Sequence, residues 1–164
     1  MLDVACGAGR NLRLGWSRGL SAVGVDRDLS RVADLRGQDR IELIEADLET
    51  GAPVPFAGRT FGLVVVTNYL WRPILPDIVA AVAPDGLLIY ETFAAGHERY
   101  GRPDNPDFLL RPGELIEAVS GRLTPLAYEY VKLAEPDRIV QRICAAGPLH
   151  PWYRDGAPVA IPAP

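Results

Sequence analysis

The stretch LDVACGAGRN, Leu2–Asn11, determines the fold. It is typical of the end of a buried strand, a glycine turn and the start of a helix. Gly7 and Gly9 suit a backbone that turns sharply and lets a ligand approach, because a Cβ would clash or forbid the dihedral angles. The first N–H groups of the following helix lack partners within the helix and carry partial positive charge. The turn therefore predicts a site for a polar or anionic part of a ligand.

The residues around the turn favour one class of ligand over two others. A dinucleotide fingerprint has a third glycine where this chain has Leu12, and the Gly-Lys-Ser/Thr ending of a P-loop is absent. Asp3 stands at the end of the strand, where a carboxylate would repel a pyrophosphate. A ligand that carries an ammonium and a sulfonium suits this acidic strand end better.

The sequence from Asp3 to Arg10, DVACGAGR, closely resembles the first motif of class I S-adenosylmethionine-dependent methyltransferases, usually written acid-x-Gly-x-Gly-x-Gly. Ala5 stands where the family most often has glycine. The ACGxGR variant resembles the small-molecule branch of tellurite/thiopurine-type enzymes. The resemblance covers nearly the whole chain, and it implies that S-adenosylmethionine is bound by residues of the turn: Asp3, Ala5, Cys6, Gly7, Gly9 and Arg10.

Composition indicates one globular domain. The chain has 164 residues, of which 48% are hydrophobic and 23% charged. No apolar run reaches the ~20 residues needed to cross a bilayer, and no charged-then-apolar leader precedes the motif. Cys6 and Cys144 lack metal-ligand spacing, so we predict a reducing cytoplasm and neither a disulfide framework nor a metal site. For Cys6 we favour packing under the turn over nucleophilic chemistry.

The net negative charge of the chain limits the kinds of partner that it is expected to bind. The formal net charge is −4 and the pI is about 5.2, which argues against broad nucleic-acid binding because that needs a basic face. A local basic patch is still compatible with the sequence, since nearly all of the positive charge is arginine. We therefore expect a small-molecule acceptor and no membrane partner, and the sequence does not indicate an oligomeric state.

Alternating strand and helix patterns predict an α/β fold with a Rossmann-like, doubly wound sheet. The resemblance implies seven strands in the order 3-2-1-4-5-7-6, with one antiparallel strand. The predicted strands are a short one at the start and residues 21–26, 41–47, 61–67, 86–90, 123–133 and 138–146. The predicted helices cover residues 11–19, 29–36, 73–83 and 112–119.

The ends of the chain carry two expectations. Met1 directly precedes the motif, whereas the family usually has a helix there that covers the cofactor, so we expect a fragment or a late start codon. A naturally short family member is the alternative. We assign residues 1–146 to the methyltransferase domain and residues 147–164 to a flexible tail rich in proline and alanine.

Two further acids end predicted strands. Asp26 follows the glycines at about the spacing at which an acid accepts hydrogen bonds from ribose hydroxyls, with a helix N-cap as the alternative role. We place its neighbour Arg27 in the cofactor site as well. The resemblance implies that Asp47 accepts from the adenine amine and that the Leu48 N–H reaches a ring nitrogen. A solvent-exposed strand-end acid is the alternative for Asp47.

The acceptor site is expected beyond the fourth strand, at residues 68–71. This NYLW sequence lacks the prolines of the Asn-Pro-Pro-Tyr signature of enzymes that methylate amide or adenine nitrogens. We expect Asn68 to contact the methionine end of the cofactor and Tyr69 to line the acceptor site, with simple packing as the alternative. Residues 91–112 form a long predicted loop above the site, in which His97 is the candidate general base. A solvated cover without a chemical role is the alternative.

The sequence thus predicts methyl transfer from S-adenosylmethionine to a small acceptor by in-line displacement, with the protein supplying orientation and dryness. A base is needed only if the acceptor must lose a proton. A catalytically silent cofactor-binding fragment or regulatory subunit is the second interpretation. An NAD-dependent oxidoreductase is a weaker third, because Leu12 breaks the dinucleotide fingerprint.

Overall fold

A seven-stranded mixed sheet with the order β3-β2-β1-β4-β5-β7-β6 organises the chain. The computed structural model describes residues 1–154. Strand β7 runs antiparallel to β5 and β6, and the other neighbours are parallel. The predicted fold class and strand order are confirmed. The strands are β1 Leu2–Val4, β2 Ala22–Asp26, β3 Ile41–Glu45, β4 Phe61–Thr67, β5 Val82–Phe93, β6 Thr124–Leu133 and β7 Arg138–Ala146.

The helices are shorter than the sequence predicted. Within residues 1–154 the α-helices are α1 Arg10–Ser17, α2 Leu75–Ala80, α3 Glu114–Val119 and α4 Pro151–Arg154. The helix predicted over residues 29–36 is a 3₁₀ segment, Ser30–Leu35, in which Val32 has a non-helical φ of −124°. The helix predicted over residues 73–83 is divided into a 3₁₀ turn, Arg72–Ile74, and α2.

Strand β5 and the segment after it correct the predicted loop over residues 91–112. β5 extends to Phe93, because its pairing with β7 continues as far as Val140. Two 3₁₀ turns, His97–Arg99 and Pro106–Phe108, follow it. Ala94 pairs with Leu110 in an isolated bridge. The segment is therefore tied to the sheet at both of its ends, which local composition rich in Gly, Pro and Arg did not reveal.

The centre of the sheet is buried on both faces. Val64 and Val66 of β4 have no exposed surface, and Val65 on the opposite face is 6% exposed. A smaller apolar cluster lies under the glycine turn, where Leu12 of α1 packs with Val32. Burial on both faces fixes the central strands, and their carboxyl ends consequently meet at one edge of the sheet.

The residues that directly follow β7 form backbone hydrogen bonds with β5. The Gly147 N–H donates to the Gly86 carbonyl at 2.9 Å, and the Leu149 N–H donates to the Pro84 carbonyl at 2.8 Å. Most of the predicted tail, residues 155–164, lies outside the described residues, so the proposed domain boundary at residue 146 stays a prediction. In residues 1–154 we find no helix with the length and apolar character needed to span a bilayer.

The two glycines of the turn allow a matched test of this packing. A Cβ on Gly9 would lie 2.6 Å from Val32 Cγ1, whereas a Cβ on Gly7 would meet no described atom within 4 Å. Both residues have a positive φ, +70° and +52°, so an alanine is strained at either position. We expect Gly9→Ala to lower the free energy of unfolding by about 1–3 kcal/mol more than Gly7→Ala, because of the added clash.

Urea denaturation of the two variants measures this difference. Val32→Ala should cost less stability in the Gly9→Ala background than in the wild type, because the new Cβ occupies part of the space that the removed methyl groups leave. Equal losses for the two glycine variants would contradict the packing described here.

Candidate functional site

Two carboxylates hold the turn between β1 and α1. The Gly7 N–H donates to Asp26 Oδ2 at 2.7 Å, and the Leu12 N–H donates to Asp3 Oδ2 at 3.1 Å. The first bond joins the turn to the end of β2, and the second joins the start of α1 to the end of β1. The turn is thus fixed against both strands by side chains that the sequence analysis assigned to cofactor binding.

Ala5 is strained. Its φ is +53°, in the left-handed region that favours glycine. Ala5 also stands at the position where the methyltransferase motif most often has glycine. A non-glycine residue in this conformation costs about 1–2 kcal/mol. Such strain persists where surrounding structure holds it, and it concentrates at functional sites.

A cleft of about 300 Å³ opens beyond the carboxyl ends of β1, β2, β3 and β4. In open α/β sheets this is where ligands bind. Six of the predicted site residues line it together, one or two from the end of each strand: Ala5, Asp26, Arg27, Asp47, Leu48 and Tyr69. Ala46, Glu49 and Phe108 complete the lining.

Asp3 lies beneath the turn and not in the lining of this cleft. Its side chain is buried, with the residue 1% exposed, and Oδ1 has no hydrogen-bond partner among the described residues. Burial raises the pKa of Asp3 to about 6. A buried carboxylate with one unused oxygen is chemically suited to a cationic neighbour.

The turn residues Cys6, Gly7, Gly9 and Arg10 do not line the cleft themselves. Cys6 packs in the small cluster with Leu12, and burial raises the pKa of its thiol to about 12, so it is not a thiolate at neutral pH. Gly9 faces Val32, and Arg10 is exposed at the start of α1.

Of the segment after β4, Tyr69 lines the cleft and Asn68 does not. Asn68 is exposed and has a φ of +55°, and its N–H donates to the Glu91 carbonyl at 2.9 Å. The buried Tyr69 hydroxyl has no hydrogen-bond partner in the described part of the chain. Burial, followed by the nearby carboxylates of Glu49 and Asp47, raises the pKa of Tyr69. Its hydroxyl is therefore protonated at neutral pH and is able to donate a hydrogen bond to a ligand.

His97 is not part of the cleft lining. Its ring stacks on Phe93 with the ring centres 4.4 Å apart, and the residue is 4% exposed. The Ile139 N–H donates to Nδ1 at 3.3 Å, so Nε2 carries the ring proton and donates to the Arg102 carbonyl at 3.1 Å. Because backbone groups engage both ring nitrogens, these contacts hold the segment after β5 in place and do not support the predicted general-base role.

Three residues of the lining were not predicted. Glu49 and Ala46 flank the predicted pair at the end of β3, but no pattern in the sequence sets them apart. Phe108 belongs to the segment that we predicted to lie above the site, and local sequence gives no signal for which of its residues faces the cleft.

Comparison with known proteins places this geometry in a family. Residues 2–89 match the model of the family described as "Methyltransferase domain", which is more than half of the chain. The chain belongs to this methyltransferase family. Membership supports S-adenosylmethionine as the cofactor, as the glycine motif predicted. A search of curated proteins gave no match.

Many solved structures, including the following three, share this fold at low sequence identity. TehB from Haemophilus influenzae has a TM-score of 0.67 and 16% identity over 89% of this chain and 57% of its own. A 1,6-didemethyltoxoflavin-N1-methyltransferase from Burkholderia thailandensis has a TM-score of 0.65 and 17% identity over 89% of this chain and 69% of its own. A 16S rRNA (adenine(1408)-N(1))-methyltransferase from Catenulisporales acidiphilia has a TM-score of 0.62 and 17% identity over 89% of this chain and 83% of its own.

These likenesses show the fold. The chain spans little more than half the length of TehB. A likeness at 16% identity does not distinguish branches of the family, so the predicted tellurite/thiopurine-type branch stays a prediction.

Replacing the buried acid under the turn should stabilise the protein at neutral pH. An acid whose pKa is raised by folding binds its proton more tightly in the folded state, so wild-type stability falls as the pH rises from about 4 to about 6. We expect Asp3→Asn to raise the free energy of unfolding at pH 8 by about 1–3 kcal/mol, and to do so far less at pH 4.

Urea denaturation at the two pH values measures this difference. Asp39→Asn is the control, because the Asp39 side chain is 91% exposed and its ion pair with the neighbouring Arg40 lies at the surface. A stability difference between Asp3→Asn and wild type that does not change with pH would contradict the burial of an ionisable Asp3.

Proposed function

We propose that this chain transfers a methyl group from S-adenosylmethionine to a small acceptor. The observation that carries the proposal is the shared cleft of Ala5, Asp26 and Asp47, which come from the ends of three neighbouring strands of a methyltransferase domain. Turnover with labelled S-adenosylmethionine tests it.

The residues present fit the adenosyl part of the cofactor. Asp26 accepts the Gly7 N–H on Oδ2 and the Asp28 N–H on Oδ1, and each oxygen keeps a further lone pair for a ribose hydroxyl. Asp47 and Leu48 follow β3 beside it, where the Asp47 carboxylate is the proposed acceptor for the adenine amine and the Leu48 N–H the proposed donor to a ring nitrogen. Open space at Gly7 leaves room for a ligand to approach the turn.

The charge of the site fits a cation better than a pyrophosphate. Asp26, Asp47 and Glu49 line the cleft with a single basic residue, Arg27, and the buried Asp3 lies below the turn. A bound sulfonium and ammonium would be attracted by this excess of carboxylates, whereas a dinucleotide pyrophosphate would be repelled. The cleft therefore favours S-adenosylmethionine over NAD, in agreement with the position of Leu12 in the motif.

The chemistry asked of the protein is modest. The bound sulfonium supplies an already activated methyl group, so the chain's residues orient the reactants and exclude water. Tyr69 has a raised pKa and offers a hydrogen-bond donor rather than a base. The nitrogens of His97 are engaged by backbone groups. This arrangement favours an acceptor that is nucleophilic without losing a proton, such as a thiolate or a tellurite-like or arsenite-like oxyanion.

Loss of the Asp26 carboxylate should weaken cofactor binding. We expect Asp26→Ala to raise the Kd for S-adenosylhomocysteine at least tenfold, about 1.4 kcal/mol, because the ribose hydroxyls lose their acceptor. Asp26→Asn keeps an acceptor for the Gly7 N–H and should lose less affinity. Isothermal titration calorimetry measures the Kd, with Asp39→Ala as the exposed-acid control. An unchanged Kd in folded Asp26→Ala would refute the ribose assignment.

Turnover separates an enzyme from a silent binding module. We expect labelled S-adenosylmethionine to yield S-adenosylhomocysteine when the dialysable fraction of a cell extract, or a thiol or oxyanion acceptor, is added. The rate should fall in Asp26→Ala in parallel with its weakened binding. Binding without product under all of these conditions would favour the silent module. Product formed with the macromolecular fraction alone would overturn the small-acceptor assignment.

A further inference from the structure

Phe108 is an aromatic residue that lines the cleft from the segment after β5. It ends the 3₁₀ turn Pro106–Phe108, and the next two residues, Leu109 and Leu110, are buried at 5% and 0% exposure. Phe108 itself is 39% exposed. Covering a partly exposed aromatic ring with another apolar surface is favourable, because it removes apolar surface from water.

Arg72 holds the backbone on both sides of Phe108. Its Nη1 donates to the Asp107 carbonyl at 2.6 Å, and its Nη2 donates to the Leu109 carbonyl at 2.8 Å. The Asn105 side chain adds a cap by accepting the Asp107 N–H at 3.0 Å. The position of Phe108 is thus fixed by hydrogen bonds to its two neighbours rather than by burial of its own ring.

Arg72 is itself held by a nearly buried carboxylate. Its Nε donates to Glu114 Oε1 at 2.7 Å and its Nη2 to Oε2 at 3.0 Å, a two-point contact that fixes the plane of the guanidinium. The Arg111 N–H also donates to Glu114 Oε2, at 2.7 Å. Arg72 directly follows the residues after β4 that approach the cleft, so this network joins α3, the Phe108 turn and the cleft wall.

We propose that Phe108 is a cofactor-contacting residue that covers the adenosine part of S-adenosylmethionine from the solvent side, and that Arg72 is its positioning residue. The inference rests on the proposed function. Phe108 shares the cleft with Asp26 and Asp47, to which the ribose and adenine are assigned. An aromatic ring stacks on the face of a purine or packs on the ribose, and either contact removes apolar surface from water.

Calorimetry with two ligands tests Phe108. We expect Phe108→Ala to raise the Kd five- to twentyfold for both S-adenosylhomocysteine and 5′-methylthioadenosine, which lacks the amino-acid part, and Phe108→Leu to have a smaller effect. Ile116→Ala is the matched control, because Ile116 is 41% exposed on α3 and does not line the cleft. Unchanged affinities in Phe108→Ala, or a loss of turnover alone, would overturn the inference.

A double-mutant cycle tests Arg72. Arg72→Lys keeps a positive charge beside Glu114 but has its donors on a single nitrogen, so it loses the two-point contact with Glu114 that leaves donors for both carbonyls. We expect it to weaken binding of both ligands, and Phe108→Ala to add less than a twofold further loss in its background. If the affinity losses of the two substitutions multiply fully in the double variant, the substitutions act independently, and the positioning role of Arg72 is overturned. The wild type separates the two proposals, since absent binding there rejects the proposed function, whereas normal binding in Phe108→Ala rejects this inference alone.

Discussion

The hydrogen bond from the Gly7 N–H to Asp26 fixes the turn after β1 against the end of β2, and the geometry of the site depends on it. It holds the glycine turn at the wall of the cleft that Asp26 shares with Asp47. The same carboxylate is the proposed acceptor for the ribose. One side chain therefore shapes the turn and is also the ligand contact that we propose, which would couple the local fold to the proposed chemistry.

Three unfavourable features lie at the carboxyl ends of the central strands, while the centre of the sheet is well packed. Ala5 has a left-handed φ, Asp3 buries a carboxylate with one unused oxygen, and the Tyr69 hydroxyl is buried without a partner in the described chain. In β4, Val64 and Val66 are fully buried. Such a distribution is typical of a binding site whose strained and unpaired groups are stabilised by the ligand and supported by a rigid sheet.

The sequence was most informative where structure depends on neighbouring residues. The glycine turn, the β-branched β4 and the acids at strand ends are local patterns, and they predicted the fold class and part of the cleft lining. The strand order and the places of Asp47 and Leu48 were implied by the family resemblance. The places of His97 and Phe108 depend on distant partners. His97 is held by Ile139 and Phe108 by Arg72, which no spacing within residues 91–112 reveals.

A crystal structure of the protein with S-adenosylhomocysteine tests most directly whether the strand-end cleft receives S-adenosylmethionine. We expect density for the ribose at Asp26, for adenine beside Asp47 and Leu48, and for the amino-acid part toward the glycine turn above Asp3. Density for the ligand at any other place on the domain, or an empty cleft at saturating ligand, would contradict this expectation.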